Sequence, residues 1–221
     1  MWKTACRKVI GEYMKFCPKC GSILNDKNMC TNFNSCNYVG SSSFDMYSLQ
    51  DSVTSELRNN LVIVNAIIEK MNIRYKPEFF VLGGAALAFY GLIDRPTLDI
   101  DTANSIDDNI RACVEEFISD QASNVTELGD GYKDRAVEYM PELAAIKIYL
   151  LSQEDLIITK MRSGRHKDIN DLLKSEILTQ HNVQKAISVL ETEYPEEIAK
   201  RYIAYVRRLK ARKESFDFDE E

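Results

Sequence analysis

Three groups of residues in this chain have the types and spacing to do chemistry. The first is Asp99-Ile100-Asp101, which follows closely on the adjacent pair Gly83-Gly84. On a strand, successive side chains alternate, so Asp99 and Asp101 share one face while Ile100 turns into the core. Two carboxylates on one face can hold one or two Mg2+ ions. Gly83-Gly84 ends the apolar run FFVL at a point where a helix should begin. Without side chains there, phosphate oxygens can approach backbone N–H groups at the helix start. A phosphate cradle beside a metal-binding acid pair is the arrangement for in-line displacement at phosphorus. Neither GG nor D-x-D is informative alone. Their combination as strand, GG, helix, strand, DxD carries the inference.

The second group is Cys17, Cys20, Cys30 and Cys36, spaced C-x2-C-x9-C-x5-C. Pro18 within the first pair and Gly21 after it make a tight turn that aims two sulfurs at one point. Four thiolates close a tetrahedral structural Zn2+ site with no open position for catalysis. The N-terminus carries scattered charges and no long apolar block, so no secretion signal favours disulfides instead. The segment resembles a zinc ribbon. It serves as a folding clip or as a docking module for RNA, DNA or a protein. Cys6 and Cys113 stand alone as small apolar residues.

The third group is basic and acidic together: Lys160, then Arg165-His166-Lys167-Asp168-Ile169-Asn170-Asp171. Read from the residues alone, it is a helix with a solvated charged face. Arg95, between the glycines and the aspartates, can approach a phosphate or lie on the surface. His166 and His181 are too few and too separated to suggest a metal site.

The elements that must position these residues follow from periodicity. The chain has 221 residues, 45% hydrophobic and 28% charged, an ordinary globular balance. Its longest apolar patch, Leu61 to Ile68, is far too short to span a bilayer, and the expectation is a soluble, cytoplasmic protein with no membrane contact. The net charge of −6 argues against a general nucleic-acid binder. Charge is uneven, however: residues 1–45 hold six basic residues against three acidic ones, and the last helix is locally basic around Arg207, Arg208 and Lys210.

Gly40-Ser-Ser-Ser43 marks a linker. Leu49, Val53, Leu57, Leu61, Val64, Ile68 and Met71 recur at helical spacing. Glu78 to Leu82 predicts a buried strand, Gly83 to about Gly91 a helix, and Thr97 to Thr102 a second strand. A helix over Ile106 to Ser119 comes next. Further strands are expected over Val125 to Leu128, Arg135 to Tyr139 and Ala144 to Leu151, with a hairpin turn at Gly129-Asp130-Gly131. Ser152 caps a helix ending near Gly164. Others span Lys167 to Leu178, Asn182 to Glu191, and Pro195 to about Lys213. The predicted class is α+β: a zinc ribbon over residues 1–43, a mixed sheet flanked by helices over 44–151, and a helical region over 152–221.

VLGGAALAFYGL, RPTLDID and LSQEDLIITKMRSGRHKDINDL together resemble the nucleotidyltransferase (DNA polymerase β-like) superfamily. Its hallmark is G-G or G-S followed by D-x-D. The resemblance covers about residues 47–190. More narrowly, it is to a bacterial group found as predicted nucleotidyltransferases and as toxins of toxin–antitoxin or abortive-infection systems. It implies that Gly83 and Gly84 cradle an NTP and that Asp99 and Asp101 bind Mg2+. It also implies that Lys160, Arg165, Lys167 and Asp168 form the later family motif, with Lys160 and Lys167 neutralising triphosphate charge and Asp168 orienting one of those cations. An NMP would pass to an RNA (tRNA-like), protein or small-molecule acceptor, and a cognate antitoxin or partner protein is implied for a toxin. Catalytic members usually add a third carboxylate on a later strand as general base; here the candidates are Glu138 and Asp134. Without one in place, the domain becomes a weakly active or inactive adaptor working through the zinc ribbon, or a nucleotide sensor.

Overall fold

The computed structural model describes residues 49–93, 95, 97, 99–124 and 127–217. Cys17, Cys20, Cys30 and Cys36, expected to form a zinc ribbon, and the linker expected at Gly40–Ser43 lie outside the described residues.

Helix α1 (Leu49–Met71) opens this part of the chain. Leu57, Leu61, Val64 and Ile68 lie on one stripe and are almost wholly buried. That stripe drives the helix onto the rest of the fold. Strand β1 (Glu78–Leu82) is buried along Phe79 to Leu82, as a strand covered on both faces should be. Asn104 secures its start: its Oδ1 accepts from Phe80 N at 2.9 Å and its Nδ2 donates to Glu78 O at 2.8 Å. Helix α2 (Gly83–Phe89) follows without a loop.

Strand β2 is shorter than its sequence suggests, only Asp101–Thr102. Helix α3 (Asp108–Val114) is also shorter and is capped by Asp107, whose side chain accepts from Asn109 N. A 3-10 turn (Gln121–Asn124) follows. The expected strand at 125–128 falls partly outside the described residues, and Glu127 and Leu128 are not in a strand. Gly129-Asp130-Gly131 leads into the one-turn helix α4 (Tyr132–Arg135) instead of a hairpin. Gly131 N is held there by Glu193 Oε2 at 2.9 Å. The next strand is therefore only β3 (Val137–Tyr139), before β4 (Lys147–Leu150).

The strands form one mixed sheet in the order β2-β1-β4-β3. β1 and β4 run parallel at the centre, and β2 and β3 are antiparallel edges. From Ser152 onward the described chain is helical: α5 (Gln153–Ser163), α6 (His166–Lys174), α7 (Gln180–Glu193) and α8 (Glu196–Asp217). Ser152 caps α5 by accepting from Asp155 N, and Gly164 ends it in the left-handed conformation. Thr179, not Asn182, caps α7. The observed class is α+β, a four-stranded mixed sheet with helices. No helix among the described residues is long and apolar enough to cross a membrane.

Candidate active site

The end of β1 sets the site. Leu82 is still extended, at φ −132° and ψ −171°. Gly83 then takes φ +70°, a left-handed turn that side chains disfavour. A Cβ on Gly83 would lie 3.8 Å from Asp101 Oδ2, so the turn faces that carboxylate. The cause is register: Leu82 pairs with Asp101 across the antiparallel β1–β2 ladder. Gly84 is glycine for want of space. A Cβ there would stand 2.8 Å from Thr97 Oγ1 and 3.4 Å from Arg95 Nη2.

Ile100 is buried, Asp99 is exposed and Asp101 is half-buried. The expected alternation therefore holds, although 99 and 100 lie before the strand proper. Burial, and then the charge of Asp99, push the Asp101 carboxyl above its ordinary value, while Arg165 and Lys167 pull it down. These four charges thus act on one place. They border a cleft of about 720 Å3 that Gly83, Gly84, Arg95, Lys160 and Asp168 also line.

Lys160 is 4% exposed, and its ammonium is committed. Nζ donates to Asp168 Oδ1 at 2.8 Å and to Asp171 Oδ2 at 2.7 Å. Arg95 grips Asp171 with Nε and Nη2, each at 2.7 Å. Asp168 Oδ2 accepts from Ser163 Oγ and from Arg165 Nε, both at 2.6 Å. Burial raises the Asp168 carboxyl, but these donors outweigh it and hold the group at about 2. Asp171 is likewise held below its ordinary value against its burial, by Arg95 and Lys160. Three cations therefore surround two buried acids, leaving one surplus positive charge on the cleft wall. Arg165, 64% exposed, carries it to the rim.

Glu138 is not brought to this cleft. It is exposed on β3, paired with Tyr149 of β4. That register puts it on the sheet face of Asp101, but β4 and β1 intervene. Three strand spacings make the separation on the order of 14 Å. Asp134 is exposed on α4. The cleft contains other residues that the motifs do not reveal: Glu127, Arg162 and Tyr202. Arg162 lies inside the basic stretch and had a signal in its two-residue distance from Lys160. Glu127 comes from an unpatterned loop, and Tyr202 from a helix remote in sequence. Neither had one.

The donor set suits Mg2+ of a particular kind. Among the described residues no group of three or more acids, histidines or cysteines could hold a metal ion. Mg2+ in nucleotide sites is typically held by one or two carboxylates plus substrate phosphates and water. Asp99 and Asp101, charged and mutually repelling beside an open turn, supply that number.

A search of curated proteins and a search of solved structures each returned no match. A family model does match, over residues 59–216, which spans the glycine turn, the acid pair, the buried lysine network and most of α8. The chain belongs to the family described as "Nucleotidyltransferase of unknown function (DUF6036)".

Proposed function

We propose that the cleft transfers a nucleoside monophosphate from a Mg2+-bound NTP to an acceptor hydroxyl, with release of pyrophosphate. The single observation that carries this reading is the approach of Asp101 to the Gly83 turn. A carboxylate beside a turn without side chains supports a cation held next to phosphates. The acceptor oxygen gives up its proton to solvent and bonds to the α-phosphorus as the bond from that phosphorus to the pyrophosphate oxygen breaks. Asp99 and Asp101 would hold Mg2+, which neutralises phosphate oxygens and eases departure of pyrophosphate. Arg165 and Lys167 offer positive charge to the triphosphate from the opposite wall. Lys160 acts indirectly, by fixing the acids that hold Arg95 and Arg165.

The acceptor classes are an RNA such as a tRNA end, a protein hydroxyl or a small molecule. The sequence resemblance supports a toxin or phage-defence role with a cognate antitoxin. Cys17, Cys20, Cys30 and Cys36 remain a proposed structural Zn2+ set, supported by ligand number and spacing. The test is incubation of the purified chain with Mg2+, α-labelled NTPs and total cell extract. Label should move to one acceptor class, and Asp99→Asn with Asp101→Asn should abolish the transfer. Transfer that survives the double change would refute this assignment.

A further inference from the structure

The cleft has a second cationic feature outside the residues assigned above to the triphosphate. Arg162, in the last turn of α5, reaches the cleft between two aromatic rings. Its guanidinium carbon lies 5.3 Å from the ring centre of Tyr194 and 5.5 Å from that of Tyr202. Rings at this distance fix the plane of a guanidinium and leave its N–H edge for a planar or tetrahedral anion. Nη2 donates to Glu127 Oε2. Nη1 is buried and has no partner among the described residues.

The two members of this pair are not equally built in. The Arg162 side chain is 18% exposed and that of Glu127 is 76% exposed. An ion pair made for stability would lock both partners, as Lys160 and Asp168 are locked a turn away. Here the cation is packed against rings while its anion is exposed to solvent, and Glu127 meets only Nη2, leaving Nη1 without a partner among the described residues. An anion with more oxygens would meet Nη2 in place of Glu127 and bring a further acceptor toward Nη1.

We propose that Arg162, clamped by Tyr194 and Tyr202, is a second anion subsite that takes a phosphate ester of the acceptor. Glu127 occupies it in the free protein as an internal stand-in. The class of ligand is a phosphate ester on a sugar. Tyr202 lines the cleft beside it, and Arg201 lies over the same ring at 5.6 Å, so a second cation shares that ring and adds to the attraction for an anionic ester. The ester belongs either to a polynucleotide backbone or to a free sugar phosphate. The word acceptor rests on the transferase reading above; the binding site itself does not, and its test needs no turnover.

The test uses the full chain and a fluorescein-labelled single-stranded RNA 12-mer, with anisotropy as readout and ribose 5-phosphate as competitor. Glu127→Gln should bind the RNA or the sugar phosphate more tightly than the unchanged protein, by about twofold to fivefold, the range for releasing one exposed ion pair. A gain cannot come from misfolding. Arg162→Met should weaken the same binding by roughly tenfold or more, as expected for loss of a charge-assisted fork. Displacement of RNA by millimolar ribose 5-phosphate identifies a free phosphate ester; resistance to it identifies a polynucleotide. Either supports the subsite. The proposal is overturned if Glu127→Gln binds neither probe more tightly, or if Arg162→Met weakens NTP binding as much as it weakens RNA binding. The latter would make Arg162 part of the triphosphate site. A chain that binds these probes as expected but transfers no label would refute the transferase reading alone.

Discussion

Arg95 and Asp171 are joined by two parallel hydrogen bonds of 2.7 Å across 76 residues of sequence. The contact ties the segment between the glycines and the acid pair to helix α6. The sequence leaves Arg95 open between a phosphate contact and a surface position. The structure shows a side chain 36% exposed whose fork is engaged by a nearly buried carboxylate. Its effect on a nucleotide runs through the position of the loop that covers Gly84.

Removing that tie should therefore separate geometry from charge. Arg95→Lys keeps the positive charge and loses the two-point grip. We expect it to lower nucleotide transfer by about tenfold and stability by about 1–2 kcal/mol, near the value of hydrogen bonds to charged groups. If Arg95 instead served mainly as a charge for phosphate, Arg95→Lys would keep near-full activity. Steady-state transfer and urea midpoints distinguish the two.

Lys160→Met leaves Asp168 and Asp171 buried with one fewer cation. Breaking a buried pair by removing one partner costs about 3–5 kcal/mol. A fall of that size in unfolding free energy is expected, and the triple change with Asp168→Asn and Asp171→Asn should recover part of it. No recovery would show that Lys160 stabilises the fold through some other contact.

Acid should undo the same network. Asp168 has a folded value of about 2, below the ordinary carboxylate value of 3.8. A depressed acid contributes stability above its unfolded value and loses it as pH falls toward its folded one. Stability should drop as pH falls from about 4 toward 2, and Asp168→Asn should flatten that part of the curve. Chemical denaturation at a series of pH values measures it.

Asp101 has the opposite sign. Its raised value means that holding it charged in the fold is unfavourable above its unfolded value, which includes neutral pH. Asp101→Asn should therefore abolish transfer yet raise, not lower, the melting temperature in EDTA. A lower melting temperature would mean that the carboxylate is part of the scaffold.

Gly84→Ala should be the more damaging of the two glycine changes for nucleotide binding. Its methyl would collide with Thr97 Oγ1 and crowd Arg95. Thr97→Ala in the same chain removes that obstacle and should restore part of the lost stability. Gly83→Ala meets no such contact but is strained at φ +70°, at a cost of about 1 kcal/mol. Thermal melts of the three variants rank these effects.

Much of this arrangement was readable from residue order because local rules agree with tertiary ones. The stripe of Leu57, Leu61, Val64 and Ile68, the glycine turn, the Asp99–Asp101 alternation and the Ser152 cap each follow from a few neighbouring residues. What was not readable depends on pairing between distant segments. Asp99 to Tyr139 holds short strands and one-turn helices, where periodicity has too few residues to register. Glu138 lies on a strand, as expected, but strand order puts that strand at the far edge of the sheet. Lys160, Asp168 and Asp171 were visible as a motif. That they bind one another below the surface depends on the angle between α5 and α6, which composition does not encode. Arg162, Tyr194 and Tyr202 meet only through helix packing.

The cleft has Asp99 and Asp101 on the sheet side and Lys160, Arg162, Arg165 and Lys167 on or beside helices α5 and α6, with Arg95 strapped between them. Neither portion alone could bind a charged ligand well: one would repel the phosphates, and the other would have nothing to hold a divalent ion. Exchange of genetic segments near Leu151 would split this set of charges, and neither remnant would keep the proposed site. Descent should therefore keep the two portions together, and one family model does span both, over residues 59–216.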